Sequence, residues 1–158
     1  MTEPEMLDVV DENGVPTGAV KARAFVHRDG DWHRTVHVWL SNGRGDVLFQ
    51  KRAATKESYP DKWDVSAAGH VESGESSIDA AIKELREELG VDALARDLRP
   101  LFSQKNVSVQ NQGKFVDNEI SDVYFYRRDI DLNEIRLRQA EVSDANASES
   151  QCMFIADR

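Results

Sequence analysis

Cysteine is nearly absent from this sequence: Cys152 stands alone among 158 residues. No intrachain disulfide can form, no thiolate zinc cluster is available, and a reducing, cytoplasmic setting is expected. Long apolar runs are missing too. No stretch approaches the roughly 20 residues of a membrane span, and Met-Thr-Glu-Pro-Glu-Met lacks the basic, then apolar, character of a signal peptide. Basic residues are the minority, 20 against 29 acidic, for a formal net charge of -9. That balance opposes a broad grip on nucleic acid or on an anionic membrane, while leaving room for a local basic pocket. No internal repeat is present. What remains is an ordinary globular composition, 40% hydrophobic and 31% charged, long enough for one domain over residues 1–158 with a core that needs no staple.

The chain reads as strands around one strong helix. Leu7–Val10 followed by Asp11-Glu12-Asn13-Gly14 predicts a short strand and a turn. Alternation over Trp32–Leu40 and a β-rich run over Val47–Arg52, joined by Asn42-Gly43-Arg44-Gly45, predict an antiparallel pair. Residues 53–62 read as a loop, and Trp63–Ala68 as a buried extended segment ending at Gly69. Ser76 or Ser77 caps a helix whose Ile78, Ala81, Ile82, Leu85 and Leu89 form one apolar stripe, with Gly90 as its stop. Leu98–Gln104 and Ile120–Tyr126 read as strands, separated by a polar segment from Asn106 to Asn118 long enough to be a mobile loop, read either as closing over a ligand or as a disordered connection. A short helix after Asp131 and a last strand over Cys152–Ala156 complete the reading. The fold class expected is α/β (α+β), with a mixed sheet, because the connections are too short for repeated crossover helices.

On the helix, Glu84, Glu87 and Glu88 fall within an arc of roughly 100°, its middle roughly 115° from the apolar stripe. Like charges so spaced destabilise a helix, and its C-terminal turn disfavours anions. A hard divalent cation, Mg²⁺ or Mn²⁺, would reverse both penalties. A solvated acidic face is the other reading of these three residues alone.

Their surroundings decide between the two. Gly69, five residues, Glu75, seven residues, then Lys83-Glu84-Leu85-Arg86-Glu87-Glu88-Leu89-Gly90-Val91 resembles the Nudix box, G-x5-E-x7-R-E-U-x-E-E-x-G-U with U aliphatic, over residues 69–91. The resemblance implies the Nudix fold, a mixed β-sheet sandwiched between α-helices, and divalent-metal-dependent cleavage of a diphosphate by water attack on phosphorus. It implies Glu84, Glu87 and Glu88 as catalytic metal ligands, with Gly69 among the metal-binding positions and Glu75 as an orienting partner. The one departure is Lys83 at the arginine position. A lysine keeps the charge but loses the planar fork.

Outside the box, His33-Arg34-Thr35-Val36-His37-Val38-Trp39, Gln50-Lys51-Arg52, Lys56, Tyr59-Pro60, Trp63 and Ala68-Gly69-His70 are similar to the branch of that family related to isopentenyl-diphosphate isomerase. The likeness spans roughly residues 5–142. It implies Arg52 and Lys56 as substrate-diphosphate ligands, and His33 and His70, with an acid near Glu119, as metal ligands. Glu119, near Asp117 and Asp122, is also placed to activate water. The isomerase's catalytic cysteine has no counterpart, since Ala67-Ala68-Gly69 stands there, so hydrolysis is expected rather than isomerisation. His27 and His37 are expected to be structural, as are the aromatics Trp32, Trp39, Tyr59, Trp63 and Phe115, which would otherwise stack on a base or an isoprenyl chain.

The function expected is hydrolysis of a nucleoside diphosphate derivative, a nucleotide or an isoprenoid diphosphate. A ligand-binding or regulatory module weakened by Lys83 is the alternative, and an isomerase the remoter one. In related proteins a helix follows the last strand; residues 143–158 depart from that pattern. That segment is expected to be atypical or truncated, or its face covered by a partner subunit in a homodimer.

Overall fold

In the computed structural model of the protein, residues 3–56 and 58–137 are described, together with the backbone of residues 151–155. The expected departures over 143–150 and 156–158, and the side chain of Cys152, lie outside the described residues. The strands are β1 (Met6–Val10), β2 (Pro16–Ala22), β3 (Trp32–Ser41), β4 (Val47–Lys51), β5 (Trp63–Asp64), β6 (Ala67–His70), β7 (Leu98–Gln110), β8 (Phe115–Arg127) and β9 (Gln151–Ile155). Two helices, α1 (Arg23–Asp29) and α2 (Ser77–Leu89), accompany them.

β3 organises the sheet. It runs parallel to β8 along its whole length, from Trp32 opposite Asn118 to Ser41 opposite Arg127. Its other edge is shared among β1, β6 and β4, all antiparallel, and β7 flanks β8. The sheet is therefore mixed, as expected. Because strand side chains alternate faces, Val36, Val38 and Leu40 turn toward α2 while His33, Thr35 and His37 turn toward the opposite face, where His27 of α1 stands beside His33.

The stripe on α2 buries Ala80, Ala81, Leu85 and Leu89 against those β3 residues and against Tyr124 and Tyr126 of β8. Full burial of each leucine stabilises the fold by about 1.5–3 kcal/mol. Ser76 caps the helix by accepting from the Asp79 N–H at 3.2 Å. Gly90 ends it in the left-handed region at φ 67°, its N–H donating to Arg86 O. α1 packs on β1, β2 and β8, and Val26 closes a small cluster with Leu7 and Val9.

Four expectations change. The polar stretch 106–118 is a strand hairpin, not a mobile loop: β7 and β8 pair continuously from Asn106 opposite Glu119 to Gln110 opposite Phe115. A tight turn at Asn111, Gln112 and Gly113, all at positive φ, joins them. Pairing with β8 overrides the weak strand preference of Asn and Gln. The β3–β4 pair meets only at Ser41 opposite Val47; beyond it the strands diverge, and the buried Ser66 hydroxyl bridges them, accepting from Leu40 N–H and donating to Leu48 O. Trp63 is exposed and β5 is two residues long. β2 and α1 were not anticipated; seven residues are too few for helical periodicity to show.

Candidate active site

A cavity of about 1130 Å³ opens where the unpaired edge of β6 meets the C-terminal half of α2. On one wall stand the three glutamates. Gly69 lets α2 come close: a methyl there would collide with the Glu84 carboxylate. Glu88 Oε2 accepts the Ala68 N–H at 3.1 Å, an edge donor that no neighbouring strand takes. Glu87 lines the same cavity. Burial, reinforced by the charge of Glu88, raises Glu84 to about 8. Burial raises Glu88 to about 7, against the opposing pull of the Ala68 N–H, Lys56 and Arg52. These carboxylates are thus costly to ionise together, and a divalent cation would supply the missing countercharge.

Lys83 binds Glu72 Oε1 at 2.8 Å and Glu75 Oε2 at 2.9 Å, and Glu75 also accepts the Glu72 N–H. Burial disfavours the ammonium, but the two carboxylates outweigh it and raise the Lys83 pKa. The lysine thus retains a pair of anchors in the loop that enters α2, and Glu75 is held back from the cavity wall.

Arg52 and Lys56 line the same cavity, near enough for their charges to act on Glu88. The Arg52 guanidinium donates to Ser58 O, Ser58 Oγ and Asp64 Oδ2 at 3.1, 3.1 and 3.2 Å, which leaves part of its fork for a ligand. Two cations not singled out in the sequence join them, Arg23 and Lys105. Arg23 Nε is buried without a hydrogen-bond partner among the described residues. Its only sequence signal is a position four residues before His27, on the same helix.

The histidines gather at the back. His33 and His70 are brought together as expected, and His27, expected to be structural, joins them: their ligand atoms lie within 4.8 Å of one another. Asp117 and Glu119 form a second such group with His33. His27 Nδ1 lies 2.8 Å from Arg23 O and His33 Nδ1 3.1 Å from Asp31 O, so each ring's Nε2 is left for the centre. Those two Nε2 atoms stand 3.2 and 3.6 Å from Asp117 Oδ1. His33 Nε2 and Asp117 Oδ1 are buried and make no hydrogen bond among the described residues. Burial, together with the charge of His70, pushes His33 down to about 4, so it is neutral at physiological pH. Burial would raise Asp117, but the histidines facing it lower it. Burial and Asp117 raise Glu119 to about 8. Imidazoles and carboxylates around orphaned buried atoms suit a divalent transition ion better than they suit one another.

His37, also expected to be structural, lines the cavity, where burial lowers its pKa. Of the aromatics, Tyr59 and Phe115 reach the cavity, and Phe115 stacks on His27 at 4.3 Å. Trp39 packs edge-on against Phe49, Trp32 lies under Lys105, and Trp63 is exposed.

Comparison with known proteins gives the family and the fold. The family model for the NUDIX domain matches residues 31–151. Nudix hydrolase 3 of Arabidopsis thaliana is 42% identical over 142 residues, covering 88% of this chain; the match spans only 18% of that plant protein. Isopentenyl-diphosphate Delta-isomerase of Escherichia coli is 30% identical over 90% of this chain and 75% of its own length. Among solved structures, a Deinococcus radiodurans protein superposes with TM-score 0.64 at 25% identity, covering 94% of this chain and 83% of that one. With the glutamates of α2 set on the edge of β6 and a domain match across most of its length, the chain belongs to the Nudix family of hydrolases, whose members cleave nucleoside diphosphate derivatives.

Proposed function

We propose that this protein is a divalent-metal-dependent pyrophosphohydrolase that cleaves the diphosphate of a nucleoside diphosphate derivative, nucleotide or isoprenoid diphosphate by water attack on phosphorus. The observation that carries the reading is the convergence of Glu84, Glu87 and Glu88 with Arg52 and Lys56 across one cavity. Two donor sets fit metal. The carboxylates of α2, with the Gly69 backbone beside them, fit a hard ion such as Mg²⁺; His27, His33, His70, Asp117 and Glu119 fit Mn²⁺. When bound, such ions neutralise the diphosphate and acidify water.

The chain's own residues supply the rest. Arg52, Lys56 and Arg23 hold the diphosphate, with Arg52 offering paired donors and the lysine a point charge. Glu119, which lines the cavity beside Asp117, would exchange a proton with the attacking water. Lys83 and Glu75 fix the loop ahead of α2 and so the direction from which Glu84 approaches. The leaving phosphate departs without a covalent enzyme intermediate.

Two observations weigh against the other readings. Lys83 engages both Glu72 and Glu75, which weighs against a binding module impaired at this position. Ala68 stands where the isomerase branch carries a thiol, against isomerisation.

The test is phosphorus NMR of the purified protein with Mg²⁺ or Mn²⁺ and a panel of nucleotides, nucleotide sugars, ADP-ribose, coenzyme A and isopentenyl diphosphate. Turnover of one class, lost in Glu87→Gln, is the expected result. Tight binding of a panel member without turnover in either metal would replace the hydrolase with a ligand-binding module.

A further inference from the structure

Two of the three clustered histidines have their Nδ1 taken by a backbone carbonyl: His27 by Arg23 O and His33 by Asp31 O. The third has a different partner. His70 Nδ1 lies 3.2 Å from Oε1 of Glu5, a half-buried carboxylate just ahead of β1. The other oxygen, Oε2, lies 3.7 Å from Arg23 Nε, and that nitrogen is one of the buried atoms without a hydrogen-bond partner. Glu5 is held in place by its own backbone, because its carbonyl accepts the Arg23 N–H at 2.8 Å. One carboxylate thus touches a histidine of the cluster and a cation of the diphosphate-binding wall, and it sits at the rim of the cavity that both line.

We propose that Glu5 is a positioning residue for the three-histidine site. Its carboxylate holds His70 as the Nδ1–H tautomer, so that all three rings present Nε2 to the centre, and it aims Arg23 at the same cavity. The assignment rests on the reading of the histidine cluster as a metal site. The physical basis is general: a ligating imidazole is oriented, and made more basic, by an acceptor on its other ring nitrogen, and losing that acceptor costs about 10–100-fold in metal affinity. A carboxylate is a stronger acceptor than the carbonyls serving His27 and His33, so His70 is the most strongly polarised of the three.

Two readings on the intact chain test it. Long-range proton–nitrogen correlation of the metal-free, ¹⁵N-labelled protein reports the tautomer of His70, assigned with His70→Ala. Titration with Co²⁺, followed by its visible absorption, reports affinity at the histidine site, assigned with His33→Ala. In the wild type His70 is expected as Nδ1–H. In Glu5→Ala that form gives way to Nε2–H, and Co²⁺ affinity falls about 10–100-fold. Glu5→Gln, which keeps the shape and an acceptor oxygen, is expected to fall between the two and serves if the alanine variant does not fold. Glu3→Ala, at the same rim, is expected to leave both readings unchanged. An unchanged tautomer and affinity in Glu5→Ala and Glu5→Gln would overturn the role of Glu5 while leaving the site intact. Absence of any His33-dependent Co²⁺ uptake by the wild type would overturn the site and Glu5 with it.

Discussion

The carboxylate wall and the histidine cluster face the same cavity but are built by different means. Glu84, Glu87 and Glu88 come from one helix, and their spacing alone puts them on one edge. The histidines come from α1, β3 and β6, and their acids from β8. No local pattern joins them; they meet because β3 runs parallel to β8 and antiparallel to β6, which sets His33 opposite Glu119 and Thr35 opposite His70. A helix can therefore carry a metal-binding edge almost independently of its fold, whereas the histidine site exists only once the sheet is complete.

The largest effect expected is on the helix side. Glu88→Gln removes a charge while keeping the shape that caps Ala68 N–H, and turnover should fall by about 100-fold or more, as when a group stabilising the transition state is lost. Initial rates at saturating Mg²⁺ check this; a rate within a few-fold of wild type would mean that the carboxylate edge is not where the chemistry is done.

The raised carboxylates of the cavity, Glu119 of the histidine cluster among them, titrate in the opposite sense to His33. Glu84 and Glu88 are raised from 4.5 to about 8 and about 7, so the stability they contribute is complete below pH 4.5 and is lost as pH rises through those values. His33 is lowered from 6.5 to about 4, so its contribution is complete above 6.5 and is lost as pH falls toward 4. Above pH 6.5 only the carboxylates act. The metal-free protein should melt lower at pH 8.5 than at pH 6.5, and Mg²⁺ should raise the melting temperature more at pH 8.5, where protons no longer compete for the carboxylates. Scanning fluorimetry with and without chelator measures both differences.

The smallest effect expected is at Lys83. Because the lysine already holds Glu72 and Glu75, Lys83→Arg should change kcat by no more than a few-fold, about the scale of one exposed ion pair. A large gain would show that the planar fork matters and that the loop ahead of α2 is loosely held.

The same contrast governs what was legible in the sequence. Helix α2, its caps and its acidic edge were all readable, because each depends on residues within one or two turns of one another, whereas Gly69 was reached through the family box and its reason, the approach of Glu84, lies across the fold. His33, His70 and Glu119 were reached only through a family resemblance. His27 was missed, as its helix is too short to show a period. The hairpin of β7 and β8 was mistaken for a loop because Asn, Gln and Ser weaken the strand pattern. Yet Val107 and Val109 alternate on one side of the turn, and Asp117, Glu119 and Ser121 on the other, as paired strands require. Glu5 gave no signal and Arg23 only its spacing from His27, since their meaning lies in the groups they meet at the cavity.

The claim that two separate ion sites share one cavity is tested most directly by counting bound Mn²⁺ with electron paramagnetic resonance in the wild type, Glu88→Gln and His33→Ala. Each variant is expected to lose a different population of ions, with the histidine-site population surviving in Glu88→Gln and the carboxylate-site population surviving in His33→Ala. Loss of the same population in both variants, or of none in either, would contradict it.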